Sequence, residues 1–488
     1  MSDLIQALRE KGYEATIGLE VHVQLNTQSK IFASDPNMPE SEPNTQVGVI
    51  TLGHPGTLPV LNKEVLEKAI LMGLACDSTI TKENHFARKS YFYPDLPKGY
   101  QTTQDKTPIC VGGEVKLIGD NLLQESISLH HIHVEEDAGK SVHDEEHDTW
   151  IDLNRAGSPL IEIVTNPAIK GPNEASIFLQ EVRRIVRFLG ISEANMEKGE
   201  LRCDANISIK PINQEELGRK VEIKNMNSFN HVRRAISFEI ERQHGLELKG
   251  ELIEEETRTF DPNTGKTSSM RFKETMNDYR YFPCPDLPPV LLEDEYLNEL
   301  KASSPKIPAY YRTRFGQDYG LKDYDVQLLV EEKETAHYFL TLCEHGVNPK
   351  KASNWFNGPL KGFLNDKKAS LKDVEVNQMI DLLKLMEEGK LMSAVVQRDL
   401  LPALIESKKS VNTLAEELNL LAEDDSSALE GIVSEVLLSL PNEVEAYRKG
   451  KKKLMGLFIG KVMKRSRGKA NPKEVQILLN QKLKWVDF

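Results

Sequence analysis

Every odd position from residue 17 to residue 25 is apolar: Ile17, Leu19, Val21, Val23 and Leu25. Side chains on a strand alternate between faces, so this run offers one face to a core and leaves Gly18, Glu20, His22 and Gln24 on the other. Glu20 and His22 therefore project side by side. The same period recurs in residues 201–209, where Leu201, Cys203, Ala205, Ile207 and Ile209 face one way and Arg202, Asp204, Asn206 and Ser208 the other. Two such strands commit the chain to a sheet with one apolar face and charged groups on its opposite face. Between them Phe178, Val182, Ile185 and Leu189 recur at helical spacing, with Pro172-Asn173 ahead and Gly190 as a stop, which predicts an amphipathic helix.

The period changes further along. Short alternating runs, Pro and Gly turns and β-branched residues dominate up to the Pro-rich stretch 282–289, and from Glu293 onward apolar residues recur at three-to-four spacing. A weaker break falls at 405–413. The expected architecture is α+β followed by all-α, in three domains: 1–292, 293–408 and 409–488. With 488 residues the chain is long enough for several cores. No apolar run approaches the ~18 residues of a membrane span, and the first residues mix Asp3, Arg9, Glu10 and Lys11 in a pattern that fits no leader peptide. A cytoplasmic location is expected. Five scattered cysteines form no CxxC pair, which points to reduced thiols and away from a zinc knuckle.

Net charge is -13, yet it is unevenly spread. From Arg448 to Lys473 there are eleven Lys or Arg and no acid, so everything else carries -13 - 11 = -24. Lys451, Lys452, Lys453, Lys461, Lys464, Arg465 and Arg467 surround apolar Leu454, Met455, Phe458 and Val462, the pattern of a helix with one buried face and a cationic rim. Such a segment suits a polyanionic partner bound through its phosphates.

Two P-loop near-misses, Ala138-Gly139-Lys140-Ser141 and Thr264-Gly265-Lys266-Thr267, have Val134 and Phe260 where the leading glycine belongs. A Walker fold is therefore not expected. Glu20 and His22, with His133, Glu135 and Glu136 in the run His133-Val134-Glu135-Glu136-Asp137, supply hard oxygen ligands and an occasional imidazole, a set suited to Mg²⁺ or Mn²⁺. A solvated acidic strand fits the same pattern equally well. His143 and His147 superficially match a zincin helix, but the glutamate is misplaced and the setting is a polar loop. In Arg88-Lys89-Ser90-Tyr91-Phe92-Tyr93-Pro94-Asp95 cations precede aromatics, which suits a nucleotide or a tRNA end, or equally an edge strand with a turn. The same ambiguity attends Asp278-Tyr279-Arg280-Tyr281-Phe282-Pro283 and the run from Lys224 to Asn230.

Taken together, these segments resemble the B-subunit family of the aspartyl/glutamyl-tRNA amidotransferases. The resemblance rests on residues 17–25, 88–95 and 133–140, on Leu153-Asn154-Arg155-Ala156-Gly157-Ser158-Pro159-Leu160-Ile161-Glu162-Ile163-Val164, on residues 199–206, 224–229 and 278–282, and on Phe458-Ile459-Gly460-Lys461-Val462-Met463-Lys464. It spans nearly the whole chain. It implies a cradle-shaped N-terminal domain with kinase-like activity, a helical domain, and a YqeY-like tail that binds tRNA. It also implies ATP-dependent phosphorylation of the side-chain carboxylate of Glu-tRNA(Gln) or Asp-tRNA(Asn), followed by amidation with ammonia from a glutaminase A subunit, a small C subunit completing a heterotrimer.

Carried onto this chain, the resemblance makes Glu20, His22 and Glu136 the metal-binding positions for Mg²⁺. Glu135, Glu162 and Asp204 stand as further catalytic candidates, and Lys89, Lys140 and Arg202 as contacts for the phosphates of ATP. The chain shows no amidase Ser-Ser-Lys arrangement, consistent with glutamine hydrolysis in another subunit, and it lacks the extra inserted domain of the archaeal relative, which favours the three-subunit bacterial or organellar type; a transit peptide would be expected of an organellar form, so a bacterial source is expected. A noncatalytic tRNA-binding scaffold and a small-molecule carboxylate-amine ligase are the rival readings.

Overall fold

A computed structural model describes residues 3–117, 126–143, 148–272, 279–407, 409–421 and 426–484. It parts into two compact units, Met1–Pro308 and Ala309–Phe488.

The first unit is built on the alternating strands. β1 (Tyr13–Gln24) stands near the middle of a mixed sheet, with β2 (Ala87–Ser90), β3 (Tyr100–Thr103), β4 (Ser126–Glu136), β5 (Pro159–Thr165), β6 (Leu201–Pro211), β7 (Val221–Lys224), β8 (Glu256–Asp261), β9 (Lys266–Phe272) and β10 (Phe282–Pro283). Their order across the sheet is β9-β8-β7-β6-β1-β5-β4-β3-β2-β10, and three short strands attach off this path. The pairs are antiparallel except β7 with β8, which run parallel. A parallel pair cannot be joined by a hairpin, and the long helix Phe229–Lys249 supplies the crossover.

The alternating apolar positions 17–25 and 201–209 are all buried, as their period requires. They pack beneath α1 (Asp3–Glu10), α2 (Lys63–Ala75), α3 (Pro172–Leu189) and α4 (Phe229–Lys249), all sharing one apolar core. Each fully buried Ile, Leu or Val contributes about 1.5–3 kcal/mol relative to leaving it in water, so the orientation of β1 is strongly fixed. Helix α3 turns Phe178, Val182, Ile185 and Leu189 inward, starts with proline in its first turn and stops at Gly190, whose φ of 74° only a glycine adopts without strain. Ser228 caps α4 by accepting a hydrogen bond from the His231 backbone N–H at 3.1 Å. Helix α5 (Asp294–Ser303) also belongs to this unit, with Tyr296, Leu297 and Leu300 against its core.

The second unit is helical throughout its described residues. Near its end Val433, Val436, Tyr447, Phe458, Val462, Val475, Leu479 and Leu483 form a separate small core. There α6 (Met455–Arg465) buries Phe458 and Val462 and exposes Lys461, Lys464 and Arg465. Lys451, Lys452, Lys453 and Arg467 are exposed in the turns at either end of it. Arg465 pairs with Glu435 at 2.7 Å, and the Lys452 ammonium lies 4.4 Å from the Tyr447 ring centre. Among the described residues no helix is long and apolar enough to cross a membrane.

Candidate active site

The face of the sheet opposite the helices gathers the ionisable candidates. Antiparallel register sets His22 of β1 opposite Glu162 of β5 on one side and Arg202 of β6 on the other, and Glu20 opposite Asp204. One strand further, Glu162 stands opposite His133 of β4. Residues far apart in the chain thus meet because directly opposed side chains share a face.

Two clusters result, in each of which one ligand atom per residue lies within 4.8 Å of the others: His22 with Glu135 and Glu162, and Glu20 with Asp204 and Glu222. In the first, His22 Nε2 is 3.2 Å from Glu162 and 3.6 Å from Glu135, while His133 Nε2 is 3.4 Å from Glu135 and 3.5 Å from Glu162. In the second, Asn206 donates to Glu20 at 2.9 Å, and Lys224 reaches Asp204 and, at 3.3 Å, Glu222.

The electrostatics of the two differ. Burial disfavours a charged His22, but the hydrogen bond and charge of Glu162, together with Glu135, outweigh it and raise its pKa to about 9. Burial likewise opposes the charge of Glu162, yet His22 and His133 hold its pKa below the carboxylate range. In the first cluster imidazole and carboxylate charges thus offset one another in part. Glu20 goes the other way: burial, and then the charges of Glu162, Glu222 and Asp204, raise its pKa. Crowded acids of this kind gain from a divalent cation, and oxygen donors with a single imidazole fit Mg²⁺ better than zinc. The donor sets thus fit the implied metal. One acceptor remains unmatched beside them, the buried Oδ1 of Asn206.

The other candidates are distributed around this face. Glu136 is buried, but its carboxylate is bound by Lys98, at 2.6 Å to Oε2, and by the Thr102 N–H at 2.7 Å, apart from both clusters. Arg202 donates to Asp137 at 2.7 Å. Lys89 lies near enough for its charge to help lower the Glu162 pKa, whereas Lys140 is exposed. Sequence patterning does not single out Glu222, Lys98 or Asp137 as members of the site. A signal for Glu222 exists, since Val221-Glu222-Ile223-Lys224 repeats the period of β1 in four residues.

A row of imidazoles leads away from the first cluster. His133 Nδ1 is 3.0 Å from His131 Nε2, whose other nitrogen is 2.7 Å from His130. Burial, then His133 and His130, lower the His131 pKa to about 4. Neither P-loop near-miss opens a helix: Lys140 starts the strand Lys140–His143, and Gly265 turns the hairpin between β8 and β9. His147 and Asp278 lie outside the described residues.

Comparison with known proteins accords with this layout. Residues 15–298 match the family model described as GatB/GatE catalytic domain, and residues 337–483 match one described as GatB domain. The B subunit of an aspartyl/glutamyl-tRNA(Asn/Gln) amidotransferase from Gloeothece citriformis is 44% identical over 484 residues, covering 96% of this chain and 98% of the relative. Proteins of the same name from Oleidesulfovibrio alaskensis and Persephonella marina are 45% and 44% identical, covering 96% and 97% of this chain and 99% and 100% of those relatives.

Proposed function

This chain belongs to the GatB/GatE family, and from that premise we propose how its open sheet face serves the amidation of mischarged tRNA. It is one component of a tRNA-dependent amidotransferase, a ligase that converts Glu-tRNA(Gln) and Asp-tRNA(Asn) into Gln-tRNA(Gln) and Asn-tRNA(Asn). A component of this kind works within a multi-subunit enzyme.

The chemistry must overcome one obstacle: a carboxylate is a poor acyl donor. In our reading the N-terminal unit is a kinase-like cradle that binds ATP. An oxygen of the side-chain carboxylate attacks the γ-phosphorus, ADP leaves, and an acyl phosphate forms. Ammonia then attacks the carbonyl carbon, phosphate departs with the bonding electrons, and a base takes the surplus proton. Mg²⁺ supplies charge neutralisation for the phosphates. His22, Glu135 and Glu162 would hold one such ion and Glu20, Asp204 and Glu222 a second, while Glu136 is kept in place by Lys98. Lys89, Arg202 and Lys140 would meet phosphate oxygens. The ammonia comes from a glutaminase A subunit, a small C subunit joins the two, and the cations Lys451, Lys452, Lys453, Lys461, Lys464, Arg465 and Arg467 of the YqeY-like tail hold the tRNA backbone in the cytoplasm.

One observation carries this reading: on one face of one sheet two groups of three, His22 with Glu135 and Glu162 and Glu20 with Asp204 and Glu222, bring their donor atoms within 4.8 Å of one another. The test is ATP conversion to ADP by the chain co-purified with its partner subunits, with and without Glu-tRNA(Gln) and Mg²⁺. Stimulation by the tRNA, lost in Glu20→Gln and weakened at low Mg²⁺ in Glu162→Gln, is expected; tRNA binding without ATP turnover would overturn it.

A further inference from the structure

Beyond Glu135 the sheet continues to the edge formed by β2 and β10, where aromatic rings take over from carboxylates. β10 pairs antiparallel with β2, Phe282 opposite Arg88. Carried past the strand ends, that pairing brings Tyr279 to Tyr91, with ring centres 6.2 Å apart. Tyr93 follows at 6.0 Å from Tyr91, and Tyr281 at 6.1 Å from Tyr279, every pair meeting edge to face. Between the two tyrosines of the second segment Arg280 has a φ of 45°, a left-handed conformation that costs a bulky residue energy. The ammonium of Lys89 lies 4.7 Å from the Tyr279 ring centre.

This bank has an inner and an outer end. The strand that carries Tyr91 beyond its end, β2, pairs with β3, whose Thr103 stands opposite Glu135, and burial together with the charge of Glu135 accordingly pushes up the pKa of the Tyr91 and Tyr281 hydroxyls. At the outer end Tyr93 is 58% and Phe92 78% exposed. Phe92 rests on Gly99, whose missing Cβ would stand 3.1 Å from the ring. A staple for the loop would bury its rings. Here Tyr91, Tyr279 and Tyr281 are half-buried, with Lys89 against Tyr279, while Tyr93 and its neighbour Phe92 stand in solvent.

Bases of a single strand stack on aromatic faces whatever their identity, and a neighbouring cation adds to the attraction. The geometry points to a docking platform for the single-stranded 3′ end of a charged tRNA, its last bases on Tyr279, Tyr93 and Phe92, bringing the esterified amino acid to Glu135 and Glu162. This rests on the reading above that mischarged tRNA is the substrate. The adenine of ATP, a lone base, would need one ring; several rings stepping outward suit consecutive bases.

The test uses the complex with its partner subunits and Glu-tRNA(Gln) carrying 2-aminopurine as its terminal base. Binding to the wild type should quench the fluorescence by stacking. The double variant Phe92→Ala, Tyr93→Ala should lose much of the quenching and raise the KM for tRNA by roughly tenfold more than the KM for ATP, and Phe92→Trp, Tyr93→Trp should restore both. A rise in the ATP KM alone would assign the rings to ATP and overturn the platform, as would unchanged constants or no quenching in the wild type. Quenching by a wild-type complex whose ATP hydrolysis ignores the tRNA would fell the catalytic reading and keep the platform.

Discussion

His22 Nε2 lies 3.2 Å from Glu162 Oε2, although 140 positions separate the two residues in the chain. The contact is set by register, since the two stand directly opposite in the β1–β5 pair. It holds an imidazole and a carboxylate together with Glu135 where a divalent ion would need them.

Glu162→Gln removes a charged donor at that point. We expect the Mg²⁺ concentration for half-maximal tRNA-dependent ATP hydrolysis to rise by at least roughly tenfold. A magnesium titration of both proteins measures it, and superimposable curves would exclude Glu162 from the metal site.

A second expectation concerns pH in the absence of metal. The pKa of His22 is raised from 6.5 to about 9, so the folded state binds its proton more tightly than the unfolded chain. The resulting stability, about 3 kcal/mol at most, is fully present below pH 6.5 and is lost as pH rises through 9. Mg²⁺ needs the neutral ring, so its binding should tighten over the same window. Urea titrations in EDTA at several pH values should show the decline for the wild type and a flatter profile for His22→Gln.

Glu239 offers a test remote from the acids. It is fully buried on α4 and accepts from Arg242 at 2.7 Å and 2.9 Å, from Gln243 at 3.0 Å and from Thr267 at 3.2 Å. Glu239→Ala would leave Arg242 with Glu256 alone, at 3.7 Å, and take an acceptor from Gln243 and Thr267, so a loss of about 2–3 kcal/mol is expected in denaturant titrations. A loss below about 1 kcal/mol would mean that water replaces the carboxylate easily.

On the tail, Lys461→Glu with Lys464→Glu should weaken tRNA binding and make the dependence of log Kd on log salt shallower by about two contacts. Binding isotherms across a salt series supply the slope; an unchanged slope would place the tRNA elsewhere.

Much of the site is legible in the sequence because period two is a local property. Glu20, His22, Arg202 and Asp204 are assignable to one face from β1 and β6 alone. Pairing between strands is not local, and so the partition into two clusters is out of reach: Glu222 joins Glu20 only because β7 docks beside β6. The Glu135-Glu136 dipeptide shows both sides of this. Family resemblance puts Glu136 forward, whereas alternation along β4 sets Glu135 on the face of His133 and turns Glu136 toward Lys98 and Thr102. The helix over residues 172–189 is legible from its own spacing, proline and glycine. The side chains around Tyr279 are not, since their meeting depends on β10 returning to β2 from nearly 200 residues away.

The unbroken alternation of β1 makes the site a matter of parity. Inserting or deleting one residue within the strand would turn Glu20 and His22 into the apolar core and Leu19 and Val21 out to solvent, whereas a change of two would keep the faces and break the match of His22 with Glu162. A lineage carrying this fold can therefore retune its chemistry by exchanging side chains in place, while changes in chain length are confined to the connections outside the sheet.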